Sequence, residues 1–124
     1  GNIPRYFSGN IPSEISNLNN LTHLFLHGNE LEGNIPMDLS SLTKLIHLSL
    51  SNNNFNGYIP LELSKLKQLK SLSLSYNNLT GTIPSIFSEL SNLCHLSLSS
   101  NYLTGNIPYT LSKLTNLEAL LALG

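Results

Sequence analysis

The segment Leu69–Asn92, LKSLSLSYNNLTGTIPSIFSELSN, decides the fold, because it is one copy of a unit that repeats every 24 residues. The motif Gly-x-Ile-Pro returns at each step without slippage, at Gly9, Gly33, Gly57, Gly81 and Gly105. The shared pattern is LxxLxLxxNxLxGxIPxx(L/F)xxLxx. A fixed period of this length indicates a solenoid, in which each unit packs on its neighbours.

The two halves of the unit predict two kinds of local structure. In LxxLxLxxN the apolar residues alternate, as in a strand with one buried face, and stacked units would form a parallel sheet over a shared leucine core. The Asn follows the strand, where its amide can bond backbone groups that no ladder satisfies, so we expect Asn53 and Asn77 to lie in a buried row. After the proline the apolar spacing becomes three, as in Leu39-Leu42-Leu45, which indicates a 3₁₀ helix or a short α-helical turn.

This pattern resembles the plant-type extracellular leucine-rich repeat, and the match runs from Gly9 onward. The resemblance implies an α/β solenoid with a parallel sheet on its concave face and short helical turns on its convex face. It also implies the ectodomain of a plant receptor-like kinase or receptor-like protein, with roles in signalling or defence. Such an ectodomain lies outside the plasma membrane or in the apoplast. It recognises a protein or peptide ligand and a possible co-receptor, while a kinase elsewhere in the protein does the chemistry.

The repeats predict one segment over residues 1–124, with about four to five units and a degenerate or truncated unit at residues 1–8. The opening stretch Gly1–Pro12 allows two interpretations. Residues Gly1–Ser8 begin a unit whose strand is lost, or Phe7-Ser-Gly fills the Leu-x-Gly position of the motif. Under either interpretation, we expect the first true strand near Thr22 to Leu26.

The ends of the chain depart from the pattern of the family. Leu117 and Leu120 fit a last strand, whereas Ala122 stands where a leucine would recur. The capping segments of the family carry paired cysteines, and this sequence holds one cysteine, Cys94, which we expect to be an inert thiol. The sequence therefore suggests a piece of a larger protein or a truncated gene product.

The residues between the strand leucines are expected to point away from the core and to form the recognition surface. Phe25 and Tyr76 are the best anchor candidates, because aromatic side chains dominate binding hot spots. The candidate ligand-binding residues on the concave face are His23, Phe25, His27, His47, Ser49, Ser51, Ser71, Ser73, Tyr76, His95, Ser97 and Ser99.

Three histidines share one column of the predicted sheet: His23, His47 and His95. Ser71 interrupts the column, and His27 lies about 13 Å further along its strand. At most two imidazoles would converge, so we predict no metal site. A pH-sensitive contact and a plain exposed polar column both remain open.

The serine columns do not predict catalysis. A serine nucleophile needs a base that is itself held by an acid, and the only Asp, Asp38, lies in the turn after a proline. We therefore expect no catalytic residue, no enzyme activity and no cofactor.

Charge and hydropathy narrow the classes of partner. The net charge is −1 and charged residues are 10%, against about 25% in ordinary domains, so no basic surface would attract nucleic acid or an anionic membrane. No apolar run approaches the roughly 20 residues of a membrane span, and we expect no direct membrane contact. Asn20 and Asn78 fit the N-glycosylation sequon, and Asn92-Leu-Cys94 is a weaker variant.

Two alternatives to a receptor segment stay open. The first is a secreted defence protein like the polygalacturonase-inhibiting proteins, although Lys70 and Glu118 are the only charged residues other than histidine expected on the concave face. The second is a structural spacer or gene remnant without a ligand. The face also lacks the arginine pair that could hold the terminal carboxylate of a peptide.

Overall fold

A computed structural model describes residues 6–121, and in this range the chain forms two parallel sheets and five 3₁₀ helices. The strands are β1 (Ser8–Gly9), β2 (His23–Phe25), β3 (Glu30–Asn34), β4 (His47–Ser49), β5 (Asn54–Tyr58), β6 (Ser71–Ser73), β7 (Asn78–Thr80), β8 (His95–Ser97) and β9 (Ala119–Leu121). The 3₁₀ helices are Ser13–Asn17, Met37–Ser41, Leu61–Lys65, Ser85–Glu89 and Tyr109–Lys113.

The concave sheet has the strand order β2-β4-β6-β8-β9 and keeps the register of the repeat. Leu24 pairs with Leu48, Leu48 with Leu72, and Leu72 with Leu96. Equivalent residues of successive units therefore stand side by side, so the leucines pack into one core and the residues between them form columns on the opposite face. This arrangement confirms the predicted α/β leucine-rich solenoid.

The turns after the prolines are 3₁₀ helices of five residues each, which resolves the choice between 3₁₀ and α geometry. In the Leu61–Lys65 helix the Leu63 N–H donates to the Pro60 carbonyl over 3.2 Å, and the Leu66 N–H donates to the Leu63 carbonyl over 3.0 Å. Pro60 has a ψ of 122° and so lies just before the helix, at its N-cap position. Because proline has no N–H, no backbone donor is left without a helical carbonyl to accept its hydrogen bond at this position.

A second sheet was not expected from the sequence. This lateral sheet has the order β1-β3-β5-β7 and an offset of 22 residues between paired positions, as in Asn56 with Asn78. Its strands carry no alternating apolar pattern, because they run along the flank of the solenoid, where only one or two residues of each strand reach the core. We expected the first strand near Thr22 to Leu26. That is correct for the concave sheet, which begins with β2, but wrong for the chain, because β1 of the lateral sheet comes earlier.

Phe7 occupies the Leu-x-Gly position, as the second interpretation of the opening stretch predicted. The Phe7 N–H donates to Asn29 Oδ1 over 2.9 Å, just as the Phe55 N–H donates to Asn77 Oδ1 over 3.1 Å two repeat units further on. The competing interpretation concerns Gly1–Ser8, of which residues 1–5 lie outside the described residues. The irregular last unit concerns Ala122, which also lies outside them.

The predicted row of buried asparagines is confirmed. Asn53 and Asn77 are buried, and each side chain bonds backbone groups of its own unit and of the preceding unit. Asn77 Nδ2 donates to the carbonyls of Leu50, Leu74 and Ser75 at 3.0, 3.1 and 3.3 Å. The row therefore ties each turn to its neighbour at the point where the chain leaves the concave sheet.

Gly57 should resist substitution more strongly than Gly28, although both have a positive φ, of 79° and 71°. A Cβ at Gly57 would stand 2.5 Å from Asn34 Oδ1, whereas a Cβ at Gly28 would meet nothing within 4 Å. We expect Gly28→Ala to lower the free energy of unfolding by about 1 kcal/mol through backbone strain, and Gly57→Ala by about 2–3 kcal/mol through strain and displacement of Asn34. Urea unfolding of both variants checks this, and equal losses would show that the Asn34 contact contributes nothing.

Candidate ligand-recognition face

The concave sheet presents its outward columns on a support that the buried leucines hold in place. Strand residues that alternate with Leu48 and Leu72 point away from the core, because successive side chains of a strand take opposite faces. Phe25 is 56% exposed and Tyr76 is 58% exposed, so both predicted anchors are accessible to a partner. Phe25 pairs with Ser49 across β2 and β4, whereas Tyr76 follows the end of β6 by three residues.

Four side chains of the first two units form one cluster, the imidazole–phenyl cluster of His23, Phe25, His27 and His47. The centroids of the His23 and His47 rings are 4.9 Å apart. Phe25 lies between the histidines, with centroid distances of 5.8 Å to His23, 6.2 Å to His27 and 6.5 Å to His47. The sequence pattern identified all four residues as outward-facing. It did not reveal that Phe25 contacts the three histidines, because the cross-strand diagonal from Phe25 to His47 depends on how the rings pack.

The surroundings of His47 displace the pKa of its imidazole. Its pKa is lowered from the ordinary 6.5, first by partial burial and then by the positive charges of His23, Lys70 and His95. The folded chain therefore takes up a proton at His47 less readily than the unfolded chain. Charge on this imidazole is unfavourable unless an anion approaches it.

The stability of the free protein should consequently fall as the pH drops through about 6.5, because the unfolded state then binds more protons than the folded state. We expect His47→Gln to flatten this dependence, with the stability contribution of His47 present above that pH and lost below it. Urea midpoints at about pH 7.5 and about pH 5.5 measure the effect. The matched variant is His27→Gln, whose ring packs against Phe25, and an unchanged pH slope in His47→Gln would contradict the assignment.

His95 differs from the other two histidines of its column, because it has an acidic neighbour. His95 Nε2 lies 3.7 Å from Glu118 Oε2, and Glu118 directly precedes β9. The C-terminal end of the column thus carries its own carboxylate. At the N-terminal end, His23 Nδ1 shares a hydrogen bond of 2.8 Å with the Thr22 hydroxyl.

The serine columns form a small, neutral floor between these two ends. Ser51 Oγ bonds Ser73 Oγ, and Ser75 Oγ bonds Ser97 Oγ, so hydroxyls of adjacent strands bond one another instead of a base. Asp38 lies in the 3₁₀ helix Met37–Ser41 and not on this face.

One serine corrects the predicted surface. Ser51 is buried, so its placement on the ligand-accessible face is wrong. Its hydroxyl faces Ser73 at the point where the chain turns toward the asparagine row, and Ser75 is buried for the same reason. The candidates Ser49, Ser71, Ser73, Ser97 and Ser99 keep partial exposure.

Tyr76 stands in a backbone conformation that side chains rarely adopt, with a φ of 60°. The equivalent residues of the other units are Gly28, Asn52 and Ser100, which also have positive φ. The fold requires this left-handed turn after each strand, and glycine or asparagine satisfies it with less strain than tyrosine. The stability of the fold therefore does not explain why a tyrosine occupies position 76.

Within residues 6–121, no three His, Cys, Asp or Glu side chains come together in an arrangement that could hold a metal ion. The same range contains no helix with the length and apolar character needed to cross a membrane. Cys94 is partly exposed, and its Sγ lies 3.5 Å from the Asn92 carbonyl.

Comparisons with known proteins agree with this architecture. Two sequence profiles of the leucine-rich repeat match the chain, one over residues 67–122 and the other over residues 20–42 and 44–66. The chain belongs to the leucine-rich repeat family. Its repeats are those of plant extracellular leucine-rich-repeat receptors, as the sequence pattern predicted. No significant match is found among curated proteins.

Three solved structures illustrate the likeness. The ectodomain of the plant membrane receptor kinase GASSHO1/SCHENGEN3 from Arabidopsis thaliana, in complex with CASPARIAN STRIP INTEGRITY FACTOR 2, is 43% identical over 96% of this chain and 15% of its own, with a TM-score of 0.91. The plant peptide hormone receptor RGFR1 in complex with RGF2 is 38% identical over 93% of this chain and 18% of its own, with a TM-score of 0.90.

The third, the BIR3–SERK2 complex from Arabidopsis thaliana, is 38% identical over 94% of this chain and 64% of its own, with a TM-score of 0.82. The chain therefore spans less than a fifth of the length of the first two relatives.

Proposed function

We propose that this chain is a non-catalytic recognition segment in the ectodomain of a plant receptor-like kinase or receptor-like protein, and that its concave face binds a protein or peptide ligand. The observation that carries the proposal is the exposure of two aromatic rings, Phe25 on β2 and Tyr76 just beyond β6, at 56% and 58%, beside a sheet whose leucines face the buried core. Rings held in this way offer a large contact area at little entropic cost, as binding hot spots do.

The backbone strain at Tyr76 supports the same proposal. A tyrosine with a φ of 60° costs about 1–2 kcal/mol relative to a relaxed residue, and the equivalent Gly28 and Asn52 are better suited to that turn. Strained residues of this kind cluster at functional sites. An exposed ring that is kept at a cost to stability is best explained by a contact with a partner.

The floor between the rings suits an extended peptide. Ser49, Ser71 and Ser73 have short side chains, which allow the backbone of a ligand to approach the sheet closely, and their hydroxyls can donate to or accept from it. A related receptor, RGFR1, is known in complex with RGF2, and BIR3 is known in complex with SERK2. By analogy, we propose a peptide ligand and a second receptor as the partners of this chain, outside the plasma membrane or in the apoplast.

The proposal is tested by panning a phage library of random linear peptides against the immobilised protein. We expect enriched peptides whose affinity falls about tenfold or more in Phe25→Ala, the loss typical of an aromatic hot spot. Tyr109→Ala is the matched control, because Tyr109 is an 87% exposed ring that opens a 3₁₀ helix and lies away from the concave sheet. No enrichment, or equal losses in the two variants, would contradict binding at the concave face.

We further propose N-glycans at Asn20 and Asn78. Both side chains are exposed. Asn20 uses its Oδ1 to accept from Lys44 Nζ at 2.9 Å, which does not involve the nitrogen that carries a glycan. In the weaker sequon, Asn92 Nδ2 already donates to the Lys67 carbonyl at 3.0 Å.

Mass spectrometry of tryptic peptides from protein secreted by plant cells should find glycans at Asn20 and Asn78 and none at Asn92. Asn20→Gln and Asn78→Gln should each remove one glycan. A glycan at Asn92 with Asn20 and Asn78 bare would refute this assignment.

A further inference from the structure

We propose that His23 and His47, with Phe25 beside them, form a subsite for the carboxylate of an acidic side chain in the peptide ligand, and that this subsite binds more tightly as the pH falls. The inference deepens the proposed function and rests on it. It names the position on the concave face where the ligand is selected, and the chemistry of the ligand residue that is selected there.

The first support is the geometry of the imidazole pair. His23 and His47 pair across strands β2 and β4, and their ring centroids are 4.9 Å apart, so one carboxylate can reach a nitrogen of each ring. The Thr22 hydroxyl holds His23 Nδ1 at 2.8 Å and so orients its ring. Within residues 6–121, the Nε2 atom of His23 and both ring nitrogens of His47 have no hydrogen-bond partner.

The second support is the charge around the pair. The titratable groups that act on His47 from the neighbouring elements are His23 on β2, Lys70 just before β6, and His95 on β8, and all three are cationic when protonated. Among the described concave positions, the one acidic side chain is Glu118, which lies next to His95. The His23–His47 end of the column thus lacks a counter-ion, and an anionic ligand would supply it.

The column itself contains an example of the expected contact. Glu118, just before β9, brings its Oε2 atom within 3.7 Å of His95 Nε2, so a carboxylate from one strand position away reaches a histidine of this column without distortion. An extended ligand that crosses the concave face could place an acidic side chain on His23 and His47 in the same manner. In the described range, no strand pairs with the outer edge of β2, so no neighbouring strand supplies such a carboxylate there.

Phe25 defines the remainder of the subsite. Its ring centroid lies 5.8 Å from His23 and 6.5 Å from His47, so one flank of the imidazole pair is apolar. Apolar surroundings strengthen a charge-assisted hydrogen bond once it is formed. The ligand chemistry that fits is therefore an Asp or Glu next to an apolar or aromatic residue that packs on Phe25.

The sign of the pH effect follows from linkage. A bound carboxylate favours the charged imidazoles, so the ligand raises the histidine pKa values and its affinity increases as the pH falls. When binding raises the pKa of one histidine by one unit, the ligand binds the charged form about ten times more tightly than the neutral form. The ligand would then bind more tightly at about pH 5.5 than at about pH 7.5.

The experiment compares peptide selections at these two pH values on the full chain and on three variants. The library of random linear peptides is panned at about pH 5.5 and about pH 7.5, and the most enriched acidic peptide is synthesised together with its Asp→Asn or Glu→Gln analogue. Affinities are measured by fluorescence anisotropy for the parent protein, for His23→Gln/His47→Gln, for His95→Gln and for Phe25→Ala. Circular dichroism verifies that each variant is folded.

We expect Asp or Glu beside an apolar residue among the peptides selected at the lower pH, and about tenfold weaker binding of the amide analogue. The double variant should lose both the acid preference and the pH dependence, whereas His95→Gln should keep them, because its column position already has Glu118. Peptides that bind at the concave face with no acid preference, or with a preference that survives in the double variant, overturn this inference and leave the proposed function intact. Selection of no peptide overturns both.

Discussion

Phe55→Ala is expected to lower the free energy of unfolding by about 4 kcal/mol, the usual loss when a buried phenylalanine is truncated. Phe55 is 0% exposed and lies on the lateral strand β5, where its ring belongs to the shared hydrophobic core. The core is built from leucines of successive units, which cannot close over the void without shifting the register of the solenoid. Most of the cavity should therefore remain.

Urea unfolding measures this loss, and Phe25→Ala is the matched control. The same substitution at Phe25, which is 56% exposed on the concave face, should change stability by no more than about 0.5 kcal/mol. Comparable losses in both variants would show that Phe55 is not a core residue in contrast to an exposed Phe25, and the assignment of a core face and a ligand face would fail.

Asn77→Ala should lower the free energy of unfolding by about 3 kcal/mol, since it leaves buried backbone groups without partners. The Phe55 N–H donates to Asn77 Oδ1 over 3.1 Å, and three carbonyls accept from Asn77 Nδ2. Water cannot replace these bonds without opening the stack of turns. Asn77→Asp should also be destabilising, because a carboxylate would face those three carbonyl oxygens.

Asn78→Ala provides the control for this second prediction. Asn78 is the next residue along the chain, yet its side chain is exposed, so its loss should shift stability by no more than about 0.5 kcal/mol. Thermal and urea midpoints separate the two variants. Equal midpoints for Asn77→Ala and the parent would falsify the buried row.

The two large predictions are coupled through one bond. Phe55 supplies the N–H that Asn77 accepts, so the side-chain cavity and the broken bond affect the same stretch of the lateral strand. The double variant should lose less than the sum of the single losses, as is usual for residues in contact. The asparagine row and the core are therefore one cooperative unit, which keeps the concave columns in register for a ligand.

The candidate site was only partly predictable. Period and alternation identified Phe25, Tyr76 and the histidine column as outward residues. They could not reveal that Phe25 bridges the histidines, since that depends on ring orientation across two strands. Alternation also misplaced Ser51. It predicts an outward side chain two residues beyond Ser49, the last residue of β4, but there the backbone already bends toward the left-handed position at Asn52.

The 24-residue period by itself determined the solenoid, the concave sheet, the helical spacing after each proline and the buried asparagines. These features repeat in the sequence because each unit must match the next in shape and in hydrogen bonding. Only the tertiary structure decided the lateral sheet, with its offset of 22 residues, the burial of Ser51, and the packing of Phe25 against the paired His23 and His47. Those features arise between units, from the way neighbouring turns twist and stack, and no local pattern within one unit encodes them.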